Sequence, residues 1–243
     1  MVYKPVRKAP PEERVPVWQV PTAPEPRWAA FGAIATIIAG QTWVGHVLSQ
    51  TSASDWLTPQ IVWLFPIVSA ALLIASLAIY APTHTEPSRP LRLLSLGLLG
   101  VLVAADVTSL GLLIGEVFRG LTLAPFQLLA AGAVLWLVNV CVFALTYWEL
   151  DAGGPEARSD GRAVLPDLVF PQQQRDQQGL APTHWKPSFF DYLYVSLTAA
   201  TAFSPTDAMP YSRRAKLVMG AESTISLVII AMLVARAINI AKG

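Results

Sequence analysis

The chain alternates between apolar runs of about twenty residues and short polar segments. Because an α-helix rises about 1.5 Å per residue, a run of this length can cross the roughly 30 Å hydrocarbon core of a bilayer. The pattern predicts five membrane-spanning helices, at residues 28–48, 61–80, 91–117, 125–148 and 215–240.

A further apolar segment, Phe189 to Thr201, is too short to cross a bilayer, because its thirteen residues make roughly 20 Å of helix. Ser188 followed by Asp191 is a capping-box start. A turn rich in Ser, Pro, Thr and Asp follows, and then the last span. Irregular backbone at membrane depth needs protein or a wet cavity around it. We therefore expect an all-α, polytopic membrane protein with five transmembrane helices plus one re-entrant pore-type half-helix.

The composition agrees with a membrane protein. Hydrophobic residues make up 53% of the chain and charged residues only 14%, and the mean hydropathy is +0.48. A soluble domain carries about 25% charged residues. We expect the lipid bilayer as a partner and no nucleic acid, since the net charge is +1 and no basic patch with interleaved aromatic residues occurs. The single Cys141 allows no intrachain disulfide.

Three polar residues lie inside predicted spans: Asp106, Asn139 and Glu222. An intramembrane carboxylate is costly and points by default to function. For Asp106, a functional role and a hydrogen-bonded structural role are equally favoured. Asn139 is expected to link two helices. Glu222 either pairs with the basic residues that open the last span or faces a pore.

Enzymatic chemistry is not indicated. The chain has no H-x-x-x-H spacing, no G-x-S-x-G and no P-loop, and His46, His84 and His184 lie in separate segments. We expect no enzyme activity, no cofactor and no metal site.

The segment Tyr194–Pro210 reads Y-V-S-L-T-A-A-T-A-F-S-P-T-D-A-M-P. Without gaps it resembles the pore loop of two-helix potassium channels, Y-x-S-L-T-T-x-T-T-V-G-Y-G-D-x-x-P. The matching positions are Tyr194, Ser196, Leu197, Thr198, Thr201, Asp207 and Pro210. The resemblance implies that the C-terminal part is a pore domain.

The departures from that pattern lie in the filter. We define the filter-like turn as Thr201, Ala202, Phe203, Ser204, Pro205, Thr206 and Asp207. A potassium filter coordinates the ion with backbone carbonyls, and its two glycines adopt backbone angles that other residues disfavour. Ser204 and Thr206 occupy the glycine positions here, and Pro205 fixes its own φ. We therefore do not expect the usual potassium selectivity.

The chain as a whole resembles uncharacterised integral membrane proteins of actinobacteria and other bacteria. The shared segments are Y-W-E-L-D at Tyr147–Asp151, F-P-Q at Phe170–Gln172 and S-P-T-D at Ser204–Asp207. The resemblance implies no function. The sequence divides the chain into four expected parts. Residues 1–27 form a Pro-rich disordered tail, and residues 28–148 form four transmembrane helices. Residues 149–187 form a polar connecting loop, and residues 188–243 form the re-entrant pore helix, the filter-like turn and the last transmembrane helix.

Charge predicts the orientation. With the N-terminus in the cytoplasm, fourteen of the 17 Lys and Arg residues lie on the cytoplasmic side. The positive-inside rule favours this arrangement in the cell membrane. The pore loop would then enter from the cytoplasm, as in ionotropic glutamate receptors, whereas the loop of a potassium channel enters from outside.

Two function classes follow. The first is a non-potassium-selective or non-conducting relative of a pore domain that acts as a membrane interaction module. The alternative is an oligomeric cation channel in which Thr and Ser hydroxyls and Asp207 line the constriction. The partially negative C-terminal end of the half-helix favours a monovalent cation there. One re-entrant loop cannot close a channel, so this alternative requires a homo-oligomer.

Overall fold

The structure is a computed structural model that describes residues 20–22, 25–50, 57–80, 89–118, 124–162, 165–173, 185–201 and 208–241. Thr201, the first residue of the filter-like turn, is described. The other members of that turn, Ala202, Phe203, Ser204, Pro205, Thr206 and Asp207, lie outside the described residues.

The described chain is mostly helical, which confirms the predicted helical class. The helices are α1 (Trp28–Ser49), α2 (Leu57–Tyr80), α3 (Arg89–Phe118), α4 (Pro125–Leu150), α5 (Pro155–Ser159), α6 (Phe189–Thr201) and α7 (Arg213–Ala241). A 3-10 turn at Asp151–Gly153 joins α4 to α5, and two short strands are β1 (Leu168–Val169) and β2 (Met209–Pro210).

Within the described residues, four helices are long and apolar enough to cross a membrane. They are α1, most of α3 (Arg92–Phe118), α4 with its following turn (Phe126–Gly153) and most of α7 (Arg213–Ile238). In α2 the apolar stretch is shorter, Trp63–Ala78. The chain is therefore a multi-pass membrane protein by length and composition.

Helix α4 forms the centre of the bundle and packs against α1, α3, α6 and α7. Of its most apolar stretch 61% is buried, compared with 17% for α7, so α7 lies at the periphery. Close backbone approach fixes two of these contacts. A Cβ on Gly40 of α1 would lie 2.6 Å from Val138, and a Cβ on Gly132 of α4 would lie 2.5 Å from Leu233 of α7.

After α4 the chain folds into a small polar unit, residues 151–173, which we call the cap. Asp151 is its central residue. One carboxylate oxygen of Asp151 accepts the backbone N–H groups of Asp167 (2.7 Å) and Leu168 (3.0 Å), and the other accepts the hydroxyl of Tyr192 (2.6 Å). Arg158 donates to the carbonyls of Trp148 and Asp151, both at 2.8 Å. The described parts of the expected loop at 149–187 therefore have defined structure, built on buried polar bonds.

The end of the N-terminal tail also packs on the bundle. Glu25 accepts the backbone N–H of Phe189 (2.6 Å) and the indole N–H of Trp148 (2.9 Å). Thr22 donates its N–H to the carbonyl of Ser159 (2.8 Å). The described end of the expected tail, residues 20–22 and 25–27, therefore makes hydrogen bonds to the cap and to α6. A carboxylate at the start of α6 is stabilised by the helix dipole and by the N–H groups exposed there.

Helix α6 begins as the capping box predicts. The carboxylate of Asp191 accepts the backbone N–H of Ser188 at 2.7 Å and its hydroxyl at 2.8 Å. In a complete capping box the hydroxyl of Ser188 would accept the backbone N–H of Asp191, but here it donates to the Asp191 carboxylate. Only the bond from the Ser188 N–H to the Asp191 carboxylate is therefore formed as in a capping box.

The chain returns to the cap after α6. Strand β2 pairs antiparallel with β1, with Pro210 opposite Leu168. Arg214, at the start of α7, forms a bidentate ion pair with Asp167, with both N···O distances at 2.6 Å. The starts of α6 and α7 therefore lie on the same side of the bundle.

The ion pair of Asp167 predicts acid sensitivity. Burial alone would raise the pKa of Asp167, but hydrogen bonds from Arg214 and Ser212 outweigh it and hold the pKa below its ordinary value. A depressed carboxyl pKa contributes stability that is present above the unfolded value of about 4 and is lost as the pH falls through the folded value. We expect the thermal midpoint of the detergent-solubilised protein to fall as the pH drops below about 5, and to fall less in Asp167→Asn.

The matched control is Asp160→Asn, because Asp160 pairs with an arginine that is 65% exposed. That variant should keep the acid sensitivity of the native chain. Equal acid sensitivity of Asp167→Asn and the native chain would contradict the prediction.

Candidate functional site

Three polar side chains from three helices meet inside the bundle. Glu222 of α7 accepts a hydrogen bond from the hydroxyl of Tyr147 of α4 on one carboxyl oxygen and contacts the hydroxyl of Ser196 of α6 with the other. Glu222 and Ser196 are 0% exposed and Tyr147 is 2% exposed. We call these three residues the Glu222 cluster. Glu222 therefore contacts α4 and α6, and does not pair with the basic residues at the start of α7.

The hydrogen bonds of the cluster fit a neutral Glu222. Ser196 has one hydroxyl proton, but it lies 2.7 Å from the carbonyl of Val140 as well as against Glu222. An ionised carboxylate only accepts, so this single proton could not serve both neighbours. A proton on Glu222 resolves the conflict: Glu222 donates to Ser196, Ser196 donates to Val140, and Tyr147 donates to the second oxygen of Glu222. Within the described chain no Lys or Arg forms an ion pair with Glu222.

Asn139 lies one layer further into the bundle. Its amide donates to the hydroxyl of Ser226 at 2.8 Å, and both residues are 0% exposed. The carbonyl oxygen of Asn139 has no hydrogen-bond partner within the described residues. Asn139 thus joins α4 to α7 through this hydrogen bond.

The contacts of α6 define how deep it lies. Tyr192, near its start, bonds Asp151 just past the end of α4, and Ser196 bonds Val140, eleven residues earlier in α4. Eleven helical residues span roughly 16 Å. Ser223 of α7 donates to the carbonyl of Ala199 at 3.2 Å on the other side. Helix α6 therefore runs antiparallel to α4, from its end towards its middle.

Thr201 is the last residue of α6. Its hydroxyl lies 2.8 Å from the carbonyl of Leu197 and 3.3 Å from that of Thr198. The hydroxyl proton is used within the helix, and only the lone pairs of the oxygen remain for a ligand.

Asp106 lies apart from the Glu222 cluster. It is 3% exposed on α3, a helix that packs against α1, α2 and α4. No hydrogen bond from the described residues reaches its carboxylate. One turn earlier, Gln41 of α1 donates to the carbonyl of Leu102 at 3.3 Å, and the side-chain oxygen of Gln41 has no described partner. Asp106 and Gln41 are therefore two further buried polar side chains whose hydrogen bonds are incomplete within the described residues.

The Y-W-E-L-D segment takes part in the contacts that join the Glu222 cluster, the tail, the cap and α6. Tyr147 enters the Glu222 cluster, Trp148 bonds Glu25 of the tail, and Asp151 holds the cap and α6. The sequence identified this segment only through a resemblance and assigned its residues no role. The signal was present: two polar side chains, Tyr147 and Asp151, stand at the end of a long apolar run, where α4 reaches the cap.

No protein-family model, curated protein or solved structure matches this chain significantly. Within the part of the chain that the structure describes, no group of three His, Cys, Asp or Glu residues could hold a metal ion. Glu222, Tyr147 and Ser196 hold α4, α6 and α7 together, and this is the arrangement from which a function must be inferred.

The Glu222 cluster predicts a distinctive mutational pattern. Tyr147→Phe and Glu222→Ala each leave buried polar atoms without partners, so each should lower the free energy of unfolding by about 1–3 kcal/mol. Glu222→Gln keeps one donor and one acceptor and should cost less than Glu222→Ala. The measurement is thermal unfolding in detergent, followed by circular dichroism.

The control is Thr224→Ala on the exposed face of α7, which should leave the midpoint near that of the native chain. If Glu222→Gln proved as damaging as Glu222→Ala, the neutral form of Glu222 would be refuted.

Proposed function

We propose that the protein is an integral membrane interaction module built on a pore-loop architecture, a relative of pore domains without potassium selectivity. In this proposal α1, α2, α3, α4 and α7 are the five transmembrane helices and α6 is the re-entrant half-helix. The observation that carries the proposal is the position of α6. Its thirteen residues lie beside the middle and end of α4, while its first residue and strand β2 both lie at the cap.

Two further observations support the membrane arrangement. Helix α2 has 24 residues, roughly 36 Å of helix, which is enough for a fifth crossing despite Pro66 within it. The cap side carries Arg27, Arg92, Arg158 and Arg214. By the positive-inside rule this distribution supports a cytoplasmic cap and N-terminus, with the loop entering from the cytoplasm.

The interaction surface in this proposal is the outer face of α6 and α7. The side chains of Phe190, Tyr194 and Leu197 on α6 are 55%, 48% and 40% exposed, although the opposite face of the same helix is buried. Leu217 and Leu227 on α7 are 75% and 66% exposed. A half-helix at membrane depth is normally surrounded by protein. The partner we propose is therefore a second copy of this chain, which would cover α6.

Cross-linking in membranes tests this assembly. With Cys141 replaced by Ala, Tyr194→Cys or Leu197→Cys should give dimers with a flexible bismaleimide, because copies meet through α6. Ile74→Cys on α2 is the matched control, because Ile74 is 66% exposed on a helix that packs mainly against α1 and α3. This variant should not cross-link. Electrophoresis under denaturing conditions reads out the result. Equal cross-linking at Ile74 and Leu197, or none at either α6 position, would reject the proposed interface.

An oligomeric cation channel is the second candidate, and one observation favours it. Helix α6 ends at Thr201, about halfway along α4, and the carbonyls at the C-terminal end of a helix carry partial negative charge. In this hypothesis the hydroxyls of Thr201, Ser204 and Thr206 and the carboxylate of Asp207 bind a monovalent cation.

Conductance separates the two candidates. If the channel hypothesis holds, the oligomer in planar bilayers should carry Na⁺ and K⁺ currents that Asp207→Ala abolishes, because that change removes the only carboxylate of the filter-like turn. Asp160→Ala in the cap is the control and should leave the currents unchanged. An oligomer that carries no current at any voltage or pH would reject the channel and favour the interaction module.

A further inference from the structure

Two basic side chains at the start of α7, Arg213 and Lys216, have no partner among the described residues. Both are exposed, and neither side chain forms an ion pair or a hydrogen bond within the part of the chain that the structure describes. The neighbouring Arg214 differs, because both oxygens of Asp167 bind its guanidinium at 2.6 Å. The other described Lys and Arg side chains at the cap end also pair with carboxylates or bond carbonyls: Arg27, Arg92, Arg158, Arg162 and Lys186. Arg213 and Lys216 therefore present two charges outward.

These two charges lie on one face of α7. Residues three apart in a helix are neighbours on its surface, with about 5–6 Å between their Cβ atoms. Arg213 and Lys216 have this spacing. The opposite face of α7, which carries Ala215 and Glu222, is buried against the bundle. The guanidinium and the ammonium group are therefore close enough to bind the same anion.

The exposed surface around these charges is mainly apolar. Met209 and Tyr211, just before α7, are 70% and 69% exposed, and Leu217 is 75% exposed. Leu227, further along the exposed face, is 66% exposed. Tyrosine is enriched at the level of lipid headgroups. Because Arg213 is the first residue of the apolar span Arg213–Ile238, the two charges lie where the lipid tails give way to headgroups.

The charge of this surface selects the kind of headgroup. Arginine and lysine both form charge-assisted hydrogen bonds to phosphate oxygens. Asp167 offers no free oxygen to a headgroup cation, since both of its oxygens are bound by Arg214. A zwitterionic lipid would bring its own cation next to Arg213 and Lys216 without a carboxylate to receive it. An anionic lipid brings only the negative phosphate and is therefore favoured.

We propose that the start of α7 binds the headgroup of an anionic phospholipid, whose acyl chains lie along the exposed apolar face of the same helix. The phosphate accepts hydrogen bonds from Arg213 and Lys216, and the tails contact Leu217 and Leu227. The occupant is a membrane lipid and not a soluble anion, because the apolar face continues from the two charges into the span. The site is on α7 of a single chain, so it does not depend on the proposed contact between copies through α6.

The test uses delipidated full-length protein in detergent and two phospholipids that share dioleoyl chains, the anionic phosphatidylglycerol and the zwitterionic phosphatidylcholine. Native mass spectrometry counts the lipid bound per chain. We expect phosphatidylglycerol to be preferred about 25-fold, since each Lys or Arg near the headgroups adds roughly fivefold to the affinity for an anionic lipid. Arg213→Gln or Lys216→Gln should each lower the preference to about fivefold, and the double variant should abolish it. Both side chains are exposed, so these variants are expected to fold.

Arg162→Gln is the matched control, because Arg162 is 65% exposed but lies in the cap, where it pairs with Asp160. It removes the same charge away from α7 and should keep the native preference. Excess glycerol 3-phosphate, which has a phosphate but no tails, should not displace the lipid. Equal retention of the two lipids by the native chain would overturn the proposal. An equal loss in Arg162→Gln, or displacement by glycerol 3-phosphate, would overturn it too, because the first indicates overall charge and the second a site for soluble anions. Because lipid is counted per chain, the result is separate from assembly and conductance.

Discussion

The buried carboxylate of Asp151 holds the membrane bundle and the cap together. It is 1% exposed and receives two backbone N–H groups from the start of β1 and the hydroxyl of Tyr192. A buried carboxylate costs several kcal/mol unless donors surround it, so the site strongly disfavours any arrangement in which one donor is missing. The end of α4, strand β1 and the start of α6 are therefore positioned as one unit.

Helix α6 is consequently fixed at two points of different character. Asp151 binds it at the polar end, and Glu222 binds it deep in the bundle through Ser196. Lipid tails are as apolar as leucine side chains, so the hydrophobic effect alone does not hold a short helix against its neighbours in a bilayer. Polar bonds and close packing do. The exposed outer face of α6, at Tyr194 and Leu197, is the part that these internal bonds leave uncovered.

The sequence predicted the helices well because hydropathy and capping act locally. Helix α6 begins and ends where Ser188, Asp191 and the turn after Thr201 indicate. The partners of the polar residues could not be predicted in this way. Glu222 binds Tyr147, 75 residues away, whereas sequence proximity favoured the nearby basic residues. Arg214, one of those residues, binds Asp167, 47 residues away. The polar composition of 149–187 likewise indicated a loop, because the structure of its described residues depends on bonds to partners that are distant in the sequence.

Three carboxylates on one side of the bundle, Glu149, Asp151 and Glu222, are removed from water in three different ways. Glu222 is bonded by two hydroxyls and fits a neutral form, and Asp151 is surrounded by donors from its own chain. Glu149 alone has its nearest guanidinium at 3.9 Å. Glu149 instead lies within electrostatic reach of Arg27, Arg92 and Arg158, so the cost of burying it is offset by charge rather than by hydrogen-bond donors.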